Sequence, residues 1–386
     1  MAIKLIHAAK YFTKDEILRR AEYYEYPNPL AVEIFLWDCE LTAQLQILCN
    51  KMVLKGGAAA QLHLPLEKQR GSVDADLATT LEKKDVEEVI LQLGKTLEGC
   101  AEFSRYEPKK PNLELPLLTY LASVPSQVDP KREKLEIKLD FLCESPDLPH
   151  ADLHNVQTFA LKVNRVRCST AGALIGDKLL TLARGSIGTE LEADLPKQIY
   201  DVDALFETCD VSAQFVSDRI ISIDELTKLE ASFRRIKVTP IEALNDVVKA
   251  MNKYSLVDTP SADVLTKREI ERFQQFFVSK SQRKPYYEWS SESLRIRFLA
   301  ILAQKRLLKE MEPVDVAEII RECKEMEASL RKISGDSVGD LREKMLKLVQ
   351  TRILHYKDLR GKSLERVFWQ VLTLENLENI KSLLSN

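Results

Sequence analysis

Glycine is scarce in this 386-residue chain, with 12 in all, and histidine scarcer, with 5. The seven cysteines, Cys39, Cys49, Cys100, Cys143, Cys168, Cys209 and Cys323, form no CxxC pair and have too few histidines nearby to complete a zinc site. That spacing excludes a zinc module or a disulfide scaffold and predicts reduced, mostly buried thiols. His63, His150 and His154 are dispersed and offer no nucleophile and base in sequence proximity. No apolar run approaches the ~20 residues that span a bilayer, and MAIKLIHAAKYFTKDE lacks a signal-peptide core, so a soluble, cytoplasmic protein with no membrane partner is expected. A surplus of positive charge is missing too. Lys plus Arg number 56 against 59 Asp plus Glu, a net charge of −3, so no global field draws the chain to nucleic acid and any basic site must be local.

What is present is a long, moderately apolar chain, 45% hydrophobic, that exceeds one ordinary core. Thr13-Lys-Asp-Glu16 reads as a capping box opening a helix, and Pro29 to Lys51 carries apolar residues at spacings of three and four. From there to about Val166 short β-like runs (MVLK, VDADLA, LPLLTYLASV, LEIKLDFLC) alternate with loops and one helix, Lys84 to Gly99. Beyond Ser169 the pattern is almost wholly helical, with a C-terminal apolar stripe of Leu341, Met345, Leu348, Ile353 and Leu359. The expected fold class is α+β: N-terminal helices over 1–50 packing on the core, a mixed-sheet domain over 51–168, and a helical domain over 169–386.

The chemistry gathers in KGGAAAQLHLPLEKQRGSVDADL, Lys55 to Leu77. In a strand, residues two apart share a face, so Asp74 and Asp76 project together and Val73, Ala75 and Leu77 point the other way. Two such carboxylates repel by about 1 kcal/mol in water and by several when partly buried. A divalent cation removes that conflict, and Mg²⁺ prefers a few carboxylates plus phosphate oxygens. In LEIKLDFLC, burial of Leu135, Ile137, Leu139 and Phe141 leaves Glu136, Lys138 and Asp140 on the open face. If that strand neighbours the first, Asp140 completes a triad able to share two ions ~3.5–4 Å apart. Gly56-Gly57, between a β-like run and a small-residue helix start, lets backbone N–H groups approach a phosphate without a Cβ in the way.

A glycine pair, a short helix, Asp-x-Asp and a later strand aspartate resemble the polymerase β-type nucleotidyltransferase fold. Arg70-x-Ser72-x-Asp74-x-Asp76, then Gly176-Asp177-Lys178-Leu179, then Lys197-Gln-Ile-Tyr200-Asp201 more closely resemble the AbiEii/AbiGii abortive-infection toxins. The resemblance implies a nucleotidyltransferase in which Asp74 and Asp76, with Asp140, ligate magnesium. It places Gly56, Gly57, Arg70 and Ser72 near the nucleotide, Lys178 on the triphosphate, and Asp201 near the acceptor or as base; Asp203, two residues on, is an alternative candidate for the Asp201 role. It further implies a nucleoside triphosphate substrate, RNA (a tRNA 3′ end being one candidate) or protein as acceptor, and a cognate antitoxin. Ala58 departs from the wider fold, which carries Ser or Thr after the glycines.

Other readings compete. Glu136-x-Lys138 fits a metal-dependent nuclease, and a nucleotidyltransferase fold kept as a non-catalytic binding or antitoxin module fits Ala58. Lys178 lies in ALIGDKLLTLAR on a polar stripe with Asp177, Thr181 and Arg184 that faces either a site or water. The plain alternative for Asp201 is an i,i+4 ion pair with Lys197. KSQRKPYYEW, Lys280 to Trp289, interleaves cations and aromatics as a base-stacking platform would, or as an ordinary loop before a helix does, and Arg165 with Arg167 adds a second basic cluster.

Overall fold

The computed structural model describes residues 5–107, 116–129, 131–334, 337–349 and 359–385. Two helices lead: α1 (Lys14–Tyr23) and α2 (Pro29–Leu48). Thr13 caps α1 by accepting from the Glu16 N–H, but the Glu16 carboxylate turns to Arg19 and Arg20, so only half of the expected capping box forms. Helix α2 starts on the Asn28 side-chain cap with Pro29 in the first turn. It is buried nearly all round, with Phe35 and Leu36 in one apolar core and Trp37, Leu41 and Leu45 in another.

Seven strands follow, interrupted by helices: β1 (Val53–Lys55), α3 (Gly56–His63), β2 (Asp74–Ala78), α4 (Lys83–Thr96), β3 (Glu102–Tyr106), β4 (Leu117–Pro125), β5 (Lys134–Leu142), β6 (His150–Gln157) and β7 (Lys162–Ser169). They make one mixed sheet in the order β3-β4-β5-β2-β1-β7-β6. The four expected β runs are β1, β2, β4 and β5. Pattern reading passed over β3, β6 and β7, because HADLHNVQ and EFSRY carry few buried side chains and show no apolar alternation. Residue alternation in β2 and β5 sends Ala75, Leu77, Ile137, Leu139 and Phe141 into the core with Trp37 and Leu41, and so leaves their aspartates on the other face.

The rest is helical: α5 (Ala171–Thr181), α6 (Leu195–Thr208), α7 (Ala213–Arg234), α8 (Pro240–Tyr254), α9 (Val264–Phe277), α10 (Tyr286–Leu307), α11 (Pro313–Leu330), α12 (Ser337–Lys347), α13 (Leu364–Val371) and α14 (Leu377–Ser385). Helix α7 packs directly on α5 at Gly172, where an added Cβ would lie 2.3 Å from the Phe215 carbonyl oxygen. Of the C-terminal stripe, Met345 and Leu359 are buried, Leu341 and Leu348 pack against the core, and Ile353 lies outside the described residues. Among the described residues no helix is long and apolar enough to cross a membrane.

In the Lys280–Trp289 segment Lys280, Arg283 and Tyr287 stay exposed, while Trp289 is buried in the core, Lys284 pairs with Glu292, and the Tyr286 hydroxyl donates to Glu271. Arg165 and Arg167 are likewise occupied, both by Asp152.

Candidate active site

The register of the central strands builds the site. Antiparallel β1 sets Lys55 opposite Asp76, and parallel β5 sets Asp140 on the other side of Asp76 and Lys138 beside Asp74. Antiparallel β4 sets Thr119 opposite Asp140. One cross-strand row therefore reads Lys55, Asp76, Asp140, Thr119, and the next row on the same face reads Asp74, Lys138. With strands ~4.8 Å apart, three carboxylates and two ammonium groups share one small surface.

The glycine turn closes over that surface. Gly56 has φ +68°, a left-handed conformation, and a Cβ there would stand 2.0 Å from Asp76 Oδ2. Only glycine allows both the turn and the approach. A Cβ on Gly57 would stand 3.0 Å from Ser72 Oγ and 3.1 Å from Arg70 Nη2. The residues flagged in Lys55–Leu77 thus form one cluster. Helix α3 begins at Gly56 with no side-chain cap, which leaves its first N–H groups for water or an anion. Ala58 is buried in the apolar core.

Electrostatics mark the aspartates. Burial first, then repulsion by Asp140 and Asp74, pushes the Asp76 carboxyl up to about 6, against the pull of Lys55. Burial and Asp140 also raise Asp74, while Lys138 and, more weakly, Lys197 oppose the shift. Asp74 and Asp76 are thus carboxylates that a cation would stabilise. Asp140 stands differently, because Thr119 Oγ1 donates to its Oδ1 at 2.6 Å and Lys138 donates to its Oδ2. Among the described residues no three acidic, histidine or cysteine side chains converge on one metal position. Asp74 and Asp76 are the carboxylates here that could hold a divalent ion; Asp140, the expected third ligand, lies beside them with each oxygen accepting one hydrogen bond.

Lys178 and Asp201 meet beneath the glycine turn in a buried cluster, away from solvent. Asp201 accepts from Arg70 Nη2 at 2.6 Å and Nε at 2.8 Å, and pairs with Lys178 Nζ at 2.7 Å. Gln61 donates to the same carboxylate at 3.3 Å and accepts from the Arg70 N–H, while Lys178 also donates to Gln198. Burial works against ionisation of Asp201, yet Arg70 and Lys178 hold it below the usual carboxylate range. A sealed, doubly paired carboxylate with a lowered pKa is a poor base, so the expectation of Asp201 as proton acceptor does not fit this geometry. Nor does the helical ion pair with Lys197 form, since Lys197 pairs with Asp194. The substitute, Asp203, is buried on Arg295 and faces the helical region.

Pattern reading missed Lys55 as a site residue. Its ammonium lies 3.2 Å from Asp177 Oδ2 and across from Asp76, held charged by both although burial opposes it. Its place immediately before the glycines was the available signal. It also missed Asp38 of α2, a buried carboxyl with no hydrogen-bond partner among the described residues, whose pKa is driven well up by burial, Asp74 and Asp76.

A family model described as "Nucleotidyl transferase AbiEii toxin, Type IV TA system" matches residues 41–301, more than half of the chain, including every site residue above except Asp38. Among curated proteins, none matches. The crystal structure of JHP933 from Helicobacter pylori is similar at 12% identity over 78% of this chain and 95% of that one, with a TM-score of 0.41, too loose a likeness to carry an argument.

Proposed function

Since the chain belongs to the AbiEii family, the nucleotidyl transferase toxins of type IV toxin–antitoxin systems, we propose that it moves a nucleoside monophosphate from a nucleoside triphosphate to a hydroxyl of RNA, with Mg²⁺ held by Asp74 and Asp76. The observation that carries the reading is the contact of Gly56 with Asp76: an uncapped helix start and a cation-seeking carboxylate pair lie side by side. A triphosphate with its metal ion needs both at that spacing.

The residues divide the work. The α3 N-terminus receives phosphate oxygens through backbone N–H groups. Arg70 and Lys178 against the single charge of Asp201 leave one net positive charge beneath the glycine turn, which favours the polyphosphate; Asp201 is here a positioning residue. When bound, the metal ion supplies Lewis-acid stabilisation of charge on the transferring phosphoryl group. The acceptor oxygen attacks the α-phosphorus, the bond from that phosphorus to the bridging oxygen breaks, pyrophosphate leaves with the electron pair, and the acceptor proton passes to water. The antitoxin of such a system is the expected partner.

The nuclease reading draws no support from Glu136-x-Lys138, since Lys138 is bound to Asp140 and Glu136 is exposed. The non-catalytic reading requires a spoiled site, whereas Asp74 and Asp76 stand together. The test is incubation of the protein with each labelled nucleoside triphosphate and total RNA or protein, comparing wild type with Asp74→Asn/Asp76→Asn. Label in RNA from the wild type alone supports the proposal. Label in protein alone replaces the acceptor, and equal label from both variants removes the assignment.

A further inference from the structure

We propose that Lys138 stands in for a second metal ion: the site takes one divalent cation, on Asp74 and Asp76, and the Lys138 ammonium neutralises the acidic charge that remains. This rests on the nucleotidyl transfer reading and sharpens it, because two ions are the usual complement for three carboxylates and a polyphosphate.

Three observations lead there. The register puts Lys138 beside Asp74 on the neighbouring strand and two residues before Asp140 on its own, so its side chain emerges on the open face between the two carboxylates. Each Asp140 oxygen already accepts one hydrogen bond, from Thr119 and from Lys138, so a metal ion at the third carboxylate would meet a cation already paired there. Lys138 is partly exposed, at 39% of its side chain, so it is not a core lysine parked for packing. An ammonium there contributes a fixed charge and N–H donors but no coordination sphere.

The test is equilibrium dialysis with Mn²⁺ and a non-hydrolysable nucleoside triphosphate in both chambers, reading the excess Mn²⁺ held per chain. Wild type is expected to hold one ion. Lys138→Met, which frees Asp140, is expected to hold two, or to bind the first about tenfold more tightly, while Lys138→Arg, which keeps the charge, matches wild type. Wild type holding two ions, or Lys138→Met indistinguishable from wild type, overturns the inference and leaves the transfer reading intact. Asp74→Asn/Asp76→Asn retaining the wild-type count would instead sink the metal assignment itself, and this inference with it.

Discussion

Replacing Asp201 by Asn keeps the shape of the side chain and removes its charge, which separates an anchoring carboxylate from a catalytic base. In the native cluster one carboxylate receives both Arg70 nitrogens and the Lys178 ammonium, all at 2.6–2.8 Å, and the three side chains are 0–4% exposed. An amide can accept from one of these donors, but its own N–H₂ must then face a cation. Two buried positive charges would be left with no counter-ion, and breaking such a group costs about 3–5 kcal/mol. Lys178→Met alone leaves the bidentate Arg70–Asp201 pair neutral and should cost less. The double variant should be less damaged than the sum, because the methionine removes one of the stranded charges. The pH dependence has a definite sign. Asp201 is held below its ordinary value, so its contribution is present above the unfolded carboxyl range and is lost as pH falls through the folded value. Urea unfolding of the four proteins, followed by circular dichroism and fluorescence to check for one cooperative transition, measures all of this. An Asp201→Asn variant within about 1 kcal/mol of wild type, with transfer slowed at least about hundredfold and the residual pH–rate profile stripped of one limb, would refute the anchor and restore the base.

Gly56→Ala should keep the fold but spoil the site. The left-handed backbone costs a β-carbon about 1–2 kcal/mol, and the new Cβ at 2.0 Å from Asp76 Oδ2 forces that carboxylate to turn away. Mn²⁺ affinity should drop at least about tenfold; unchanged affinity would show that Asp76 is not a ligand. Metal affinity should also fall with pH, since the Asp76 carboxyl titrates at about 6. The metal-free protein loses stability as pH rises through that value, because the folded state holds the proton longer than the unfolded one, and the metal ion restores it. Mn²⁺ titrations from about pH 8 down to about pH 5 should show weakening by up to about tenfold per unit below the midpoint. A flat response refutes the assignment of the shift.

The amino-acid sequence by itself determined the parts of the site that depend on local periodicity. Period-two alternation in VDADLA and LEIKLDFLC is enough to put Asp74 with Asp76 and Lys138 with Asp140 on open faces, because the apolar partners must be buried. A glycine pair between a strand and a small-residue helix is likewise a local signal. Tertiary structure decided what those side chains meet. Which strand lies beside β2, and in what register, is a long-range choice, and it alone brings Lys55 across from Asp76 and Thr119 onto Asp140. The fate of Lys178 and Asp201 was decided the same way. Helices α5 and α6 carry them within the chain's helical part, but packing under α3 seals them against Arg70, and a buried charge is defined by its partners rather than by its spacing.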